Sequence, residues 1–395
     1  MKKLSLLLIS SLILITSCQT SVTPITYNVS NVFNDVNQPV NAFNTAIALT
    51  MFNQRDLDRT FPKFEKEIHR LHRLFDSYNY YQIDGQRLNN LKVINDSYGS
   101  NQAIAVDQEL IDLIKQSIDM MELTEGYFNP TLGVLIDVWS PLFVPFMQEI
   151  GTDPSISEVA NAKACSATLA NIKNIVVVDD NKNTILFNAI PGCNGKAKLA
   201  LGAIAKGYAM EKAKAIIGDY PYLIDGGRSS LITNGKNPNP ARDNWNVVIL
   251  TPYLGTNLGI AAVNGSATFT TSGDYENSFL VANNDGTYTV RHHILNPFTG
   301  YSENHYRSFT ILSDKQAGLM DALGTALFNV KDYQKIKSIV DRVSEKYDVK
   351  IEILFQQEIK IETTYKLEIS LTPGFDSSLL NDTISSLVIK RSILD

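Results

Sequence analysis

Histidine, cysteine and tryptophan are scarce in this chain: its 395 residues include five, three and two of them. The cysteines, at positions 18, 165 and 193, have a spacing that fits no metal-binding motif. Positive charge is not in excess either. A net charge of −6 excludes a general nucleic-acid binder, while leaving room for a local basic pocket. Beyond the N-terminus there is no run of roughly 18 uninterrupted apolar residues, which excludes a later transmembrane helix. No short-period repeat marks a solenoid. What is present is the make-up of a folded protein, 44% apolar and 19% charged.

The first residues read MKKLSLLLISSLILITSC. A charged start, an apolar stretch too short to span comfortably and small residues before the break describe an export signal. Cys18, directly after Thr16-Ser17, makes it resemble a bacterial lipoprotein signal. Residues 1–17 are then expected to be removed and Cys18 to carry lipid; an uncleaved membrane anchor is the other reading. The expected location is extracytoplasmic, with the protein tethered to the cell membrane. Residues 18–40, rich in Thr, Ser, Asn, Val and Pro, read as a linker. The rest is long enough for one large domain or two fused halves. Export permits a Cys165–Cys193 disulfide, and two isolated thiols fit equally well.

Apolar residues Phe61, Phe64, Ile68, Leu71 and Phe75 recur every three or four positions and predict a helix over 54–75. His69 and His72 lie beside that stripe as surface or packing residues. A second amphipathic helix is expected over 107–124, capped by Asp107. NIVVVDD and NTILFNA read as paired strands, and KLALGAIAKGYAMEKAKAIIG passes through glycines into a helix stopped by Gly218. PYLIDGG, WNVVILTP, segments around 259–264, 279–282 and 287–291, and SFTILSD follow as strands. Ser313 and Gln316 have capping-box spacing, which predicts a helix start near 314. Residues 331–345 read as helix, and EILFQQEIKIETTYKLEI as a terminal hairpin. Turn-length links between neighbouring strands favour an α+β protein over a doubly wound one.

Four features can carry chemistry. Asp321 and Thr325, one helical turn apart in MDALGTALF, offer a carboxylate and a hydroxyl on one face, donors that suit Mg²⁺; on spacing alone, a polar surface patch is the commoner meaning. LGAIAKGY (201–208) opens a helix after a strand, with glycines and Lys206 suited to an anion. It matches neither standard nucleotide fingerprint, so tight packing is its default meaning. IDGGRSS (224–230) is a second glycine-rich turn. RHHILNPFTGY (291–301) places His292 and His293 side by side before a turn, as a proton acceptor or as turn histidines bonded to backbone.

Taken in order, the stretches FDSYNYYQ…LNNLKVIN, TEGYFNPTLGVLIDVW, LGAIAKGYA, IDGGRSS, TTSGDYENSF, HHILNPFTGY and DALGTALF resemble the ApbE family, the FAD:protein FMN transferases, from about residue 41 to about 375. Residues 376–395 are left as a C-terminal tail. The resemblance implies an α+β fold of mixed and antiparallel sheets with helices, in two related halves around a central cleft. It also implies transfer of FMN from FAD, with Mg²⁺, onto a Thr or Ser hydroxyl of exported FMN-binding redox proteins, releasing AMP. Matched residue by residue, Asp321 and Thr325 become side-chain metal ligands, with the backbone carbonyl of Ala205 a third, and His293 becomes the proton acceptor. His292 supports it. Tyr78 stacks on the isoalloxazine. Thr131, Lys206, Gly207, Gly226, Gly227, Thr271, Ser272 and Gly273 wall the cofactor pocket.

Three departures stand out. Ala200-Leu201-Gly202-Ala203 replaces the usual Asp-Leu-Gly-Gly, Phe43-Asn44-Thr45 replaces Met-Gly-Thr, and Asn129 stands where Asp is common. Two alternatives remain on the sequence: Mg²⁺-dependent hydrolysis of FAD to FMN and AMP, and a non-catalytic lipid-anchored flavin-binding protein.

Overall fold

A computed structural model describes residues 22–145, 149–240, 242, 244–252, 256–361, 364–375, 379–380, 387–391 and 393–394. The signal segment and Cys18 lie outside the described residues.

The centre is a nine-stranded sheet whose spatial order follows chain order. Its strands are β1 (Ile25–Asn28), β2 (Ala48–Met51), β3 (Tyr222–Asp225), β4 (Ser230–Asn234), β5 (Ala267–Gly273), β6 (Ser308–Ser313), β7 (Ile351–Ile361), β8 (Thr364–Leu371) and β9 (Leu387–Arg391). Every neighbour is antiparallel except β8–β9. Five helices matter for the site: α1 (Gln54–Phe75), α2 (Gln108–Leu123), α3 (Gly202–Ile217), α4 (Ala317–Phe328) and α5 (Tyr333–Tyr347). The expected α+β class of mixed and antiparallel sheets is what the chain forms.

Period-two patterning separates the two faces of the sheet. Ile311, Ile353 and Phe355 point into the large core shared with α1, α3 and α4. Leu354 and its neighbour strand's Leu312 point the other way, under the hairpin Trp245–Leu250/Asn257–Val263. Each large side chain so buried contributes roughly 1.5–3 kcal/mol. A satellite core of Leu135, Trp139, Val159 and Phe279 joins the 277–292 hairpin to the 133–139 helix.

Both sheet edges correct the sequence reading. The expected linker supplies β1, with Ile25 opposite Met51 and Asn28 opposite Ala48. The expected tail supplies β9, with Leu387 opposite Leu367. Neither segment has a local signal strong enough to declare itself; each is a strand because a partner far along the chain offers an open edge. The predicted capping box is also absent. Gln316 is left-handed and makes no side-chain cap, Ser313 Oγ donates to the Lys315 carbonyl, and α4 starts at Ala317. A capping box does form at Ser155–Glu158. Cys165 and Cys193 are joined as a disulfide.

Candidate active site

Helices α3 and α4 touch backbone to backbone. A Cβ at Gly207 would lie 2.5 Å from the Ala317 carbonyl oxygen, and one at Gly318 would lie 2.8 Å from the Tyr208 nitrogen. This closeness lets the Asp321 carboxylate reach across to α3. Its Oδ2 accepts from the Gly207 N–H at 2.9 Å and from Lys206 Nζ at 3.2 Å, and its Oδ1 accepts from Ser230 Oγ at 2.7 Å. Lys206 also touches the Ser230 hydroxyl. Asp321 is 7% exposed. A buried pair costs desolvation that its attraction barely repays, so stability alone is a weak reason to keep it.

Gly207 therefore gives its N–H to the Asp321 carboxylate of the neighbouring helix. It is in the second turn of α3, and its missing side chain admits α4. Replacing it sets two effects against each other. Alanine gains about 1 kcal/mol of helix propensity, while overpacking against a fixed carbonyl costs about 1–3 kcal/mol. The nearest atoms are backbone oxygen and the Asp321 carboxylate, neither of which can yield, so overpacking wins. Gly207→Ala is expected to lower the urea midpoint with an unchanged m-value.

Thr325 Oγ1 donates to the Asp321 carbonyl at 3.0 Å, on the same side of α4 one turn on. Ala205 is buried in α3, adjacent in sequence to Lys206. The histidine corner closes on the end of the same helix. The His292 ring meets Phe328 edge-on at 5.3 Å, and Asn329 Nδ2 donates to the Leu295 carbonyl. The structure thus places the acid and the alcohol on one helix and packs His292 against that helix's end.

The two histidines part company. His292 is 0% exposed. Its Nδ1 accepts from the Ile294 N–H, which leaves the proton on Nε2 to be donated to the Glu303 carbonyl at 2.8 Å. Burial drives its pKa down to about 3. It is a satisfied core histidine. The neighbouring His293 is exposed to solvent. The protein around it still lowers its pKa, chiefly by desolvation. Since water reaches the ring, the exposure argues for a modest effect.

The glycine turn after β3 holds its shape through Gly226 N–H to the Ser230 carbonyl and Gly227 N–H to Asp225 Oδ1. Gly227 has φ +67, and a Cβ there would collide with Thr45 Oγ1. Phe43 and Asn44 are left-handed as well, at φ 54 and 55. Asparagine tolerates that region better than most residues, which accounts for its presence in place of glycine. The bulky Phe43 is held there by its N–H to His72 Nδ1 at 3.2 Å. Ala203 lies inside α3, where a methyl group is favoured over glycine. Asn129 uses both ends of its amide: Nδ2 donates to the Ala167 carbonyl, and Oδ1 accepts from Thr131. An aspartate has no such donor.

Thr131 is tied into its own loop. Its hydroxyl donates to Asn129 and accepts from the Ala167 N–H, and the residue is fully buried. Its hydroxyl shapes the loop. Gly273 is buried and makes room for the Tyr275 ring. Thr271 shares a hydroxyl bond with Thr310, and Ser272 Oγ lies against Gly324 beside Thr325. A cavity of about 250 Å³ opens here, lined by Asp225, Ser230, Thr271, Tyr275 and Glu276 among others. Burial pushes Tyr275 up to about 12 and raises the Glu276 carboxyl. Next to them Asp274, paired with Arg307 at 2.5 Å, is pushed up to about 6 because burial outweighs the arginine.

Tyr78 is 58% exposed. One ring face is covered by the Lys198 ammonium, 3.7 Å from the centroid, and its hydroxyl donates to Asp137 at 3.3 Å. The loop carrying it hangs on Asp76, which accepts from the Tyr78 and Asn79 N–H groups and from the Tyr81 hydroxyl. His72 completes that network and is buried, with its pKa lowered to about 4 by desolvation. Sequence reasoning missed Ser230, Lys198 and this network. Asp76 directly after α1, amid aromatics, was the one available signal. Among the described residues, no group of three His, Cys, Asp or Glu gathers as a metal site, and no helix is long and apolar enough to cross a membrane.

A single carboxylate bonded to a lysine, on a close helix pair beside a glycine turn and a cavity, defines an α+β protein with a polar, anion-compatible cleft. The chain belongs to the ApbE family, whose model matches residues 43–351. It is 28% identical over 242 residues to a FAD:protein FMN transferase of Rhodobacter capsulatus, covering 60% of this chain and 41% of that protein. It is likewise 28% identical over 256 residues to one of Treponema pallidum (strain Nichols), covering 62% and 66%. The match thus spans less than two thirds of either relative. Its fold is that of the ApbE protein of Thermotoga maritima, with TM-score 0.62 and 24% identity over 84% of this chain and 94% of that one. The flavin transferase ApbE of Vibrio cholerae gives TM-score 0.58 and 18% identity over 88% and 97%.

Proposed function

We propose that this protein transfers FMN from FAD to a threonine or serine hydroxyl of an exported flavoprotein and releases AMP. The observation that supports the proposal is that Asp321 and Thr325 share one helix, with the His292 ring packed against its last residue, Phe328. Mg²⁺ fits the donor set. Asp321 carboxylate, Thr325 hydroxyl and the Ala205 carbonyl are all hard oxygens, and one carboxylate is the low protein charge of a cation that completes its shell with phosphate and water. When bound, such an ion neutralises phosphate oxygens and assists the leaving group.

The remaining work falls to the chain. Lys206 supplies positive charge toward the diphosphate, and the exposed face of Tyr78 receives the flavin ring. His293, held below its usual pKa, is neutral near pH 7 and accepts the proton of the incoming hydroxyl. That oxygen bonds to the phosphorus of the FMN half, the bond to the AMP phosphate breaks, and AMP leaves with the electron pair. Positioning and charge stabilisation carry most of such a reaction. Extracytoplasmic tethering through Cys18 belongs to the same proposal, and the Cys165–Cys193 disulfide supports an oxidising location.

The test mixes the mature protein, FAD, Mg²⁺ and a purified FMN-binding domain, followed by intact mass spectrometry. Addition of one FMN to the domain with stoichiometric AMP is expected. AMP with free FMN and an unmodified domain would assign hydrolysis instead.

A further inference from the structure

The carboxylate assigned to the metal already carries a cation. Lys206 Nζ lies 3.2 Å from Asp321 Oδ2 and touches Ser230 Oγ, which donates to Asp321 Oδ1. Both side chains are deeply placed, 11% and 7% exposed. Among the described residues no group of three or more His, Cys, Asp or Glu gathers as a metal site, and Asp321 is the acid to which Lys206 is bonded. With the ammonium alone the cluster is neutral. A divalent ion added beside it sets three positive charges against one negative, and in poorly hydrated surroundings that repulsion is strong. A diphosphate carrying two negative charges restores neutrality.

We propose that Lys206 is an internal competitor for the divalent cation. It occupies Asp321 in the free protein and yields only when the nucleotide's diphosphate supplies the missing negative charge, so that metal and nucleotide bind as a pair. Lysine suits this part: it is a compact point charge on a flexible stem, able to swing from carboxylate to phosphate without a fixed geometry. Ser230, bonded to both groups, holds the resting arrangement. The inference rests on the flavin-transfer reading, because it takes Asp321 as the metal ligand.

The experiment titrates Mn²⁺ into nucleotide-free full-length protein and follows the free-ion signal by electron paramagnetic resonance. Lys206→Met and Lys206→Gln are expected to bind Mn²⁺ at least about tenfold more tightly than the unaltered protein. Lys206→Arg, which keeps the charge, is expected to match it. Adding Asp321→Asn to Lys206→Met should erase the gain and so locate the ion. Two neutral replacements, each checked by circular dichroism, guard against one that fails to fold. Measurable and equal affinity in the unaltered and neutral-variant proteins overturns the competition alone. No Mn²⁺ binding in any of them overturns both the competition and the metal role of Asp321.

Discussion

Asp321→Asn is expected to fold and to transfer almost no FMN. Asparagine keeps the volume, and its carbonyl oxygen can still accept from Gly207 or Ser230; what it removes is the negative charge. Lewis-acid assistance is worth several kcal/mol, and about 1.4 kcal/mol is a tenfold change in rate. Loss of the charge should therefore lower transfer by at least about 10³-fold and abolish the response to added Mg²⁺. Asp321→Ala is a harsher change. It strips three donors of their acceptor and leaves the Lys206 ammonium in a site where it is 11% exposed, a loss of about 3–5 kcal/mol. Comparing the two by FMN incorporation and by urea denaturation separates charge from fold. Asparagine protein that still transfers FMN in proportion to Mg²⁺ would remove Asp321 from the metal site.

That contrast also shows what the sequence made legible. Asp321 and Thr325 were visible because helical spacing is a local rule, and the apolar stripe of α1 was visible for the same reason: Phe64, Ile68, Leu71 and Phe75 are all buried. The partners of Asp321 were not visible. Lys206, Gly207 and Ser230 come from 91 to 115 residues away, and only the folded sheet and the close α3–α4 contact put them there. Ser230 closes the IDGGRSS turn, where the glycines and not the serine carry the signal. The edge strands β1 and β9 escaped notice because a short half-buried strand is defined by its neighbour. Lys198 escaped because a lysine beside a tyrosine ring leaves no trace in spacing. Thr131 shows what a motif match leaves out: the burial of the residue and the bonds that tie its hydroxyl to Asn129 and Ala167.

His293→Ala and His292→Ala are expected to fail in different ways, although the residues are neighbours. His293 is exposed, and its ring's one named partner is the Asn277 backbone, so its removal should lower the urea midpoint far less than removal of His292 while transfer falls by about 10²–10⁴-fold. The acid limb of its pH–rate profile should lie below the usual histidine value, because only the neutral ring accepts a proton and its pKa is lowered. His292 is wedged against Phe328 and bonded to Ile294 and Glu303. Its removal opens a cavity and orphans two backbone groups, a loss of roughly 3 kcal/mol. The pH dependence of stability carries the same signature. An unfolded chain protonates this ring near 6.5, whereas the folded protein resists until about 3. The contribution of neutral His292 is therefore complete above about 6.5 and drains away as pH falls toward 3. Buried His72, lowered to about 4, adds slope in the same window, so the slope of urea melts between those limits should fall in His292→Gln without vanishing, and fall less in His293→Ala. Equal slopes in the two variants would mean that the buried ring is not the one that resists protonation, and the division of labour at this corner would have to be reversed.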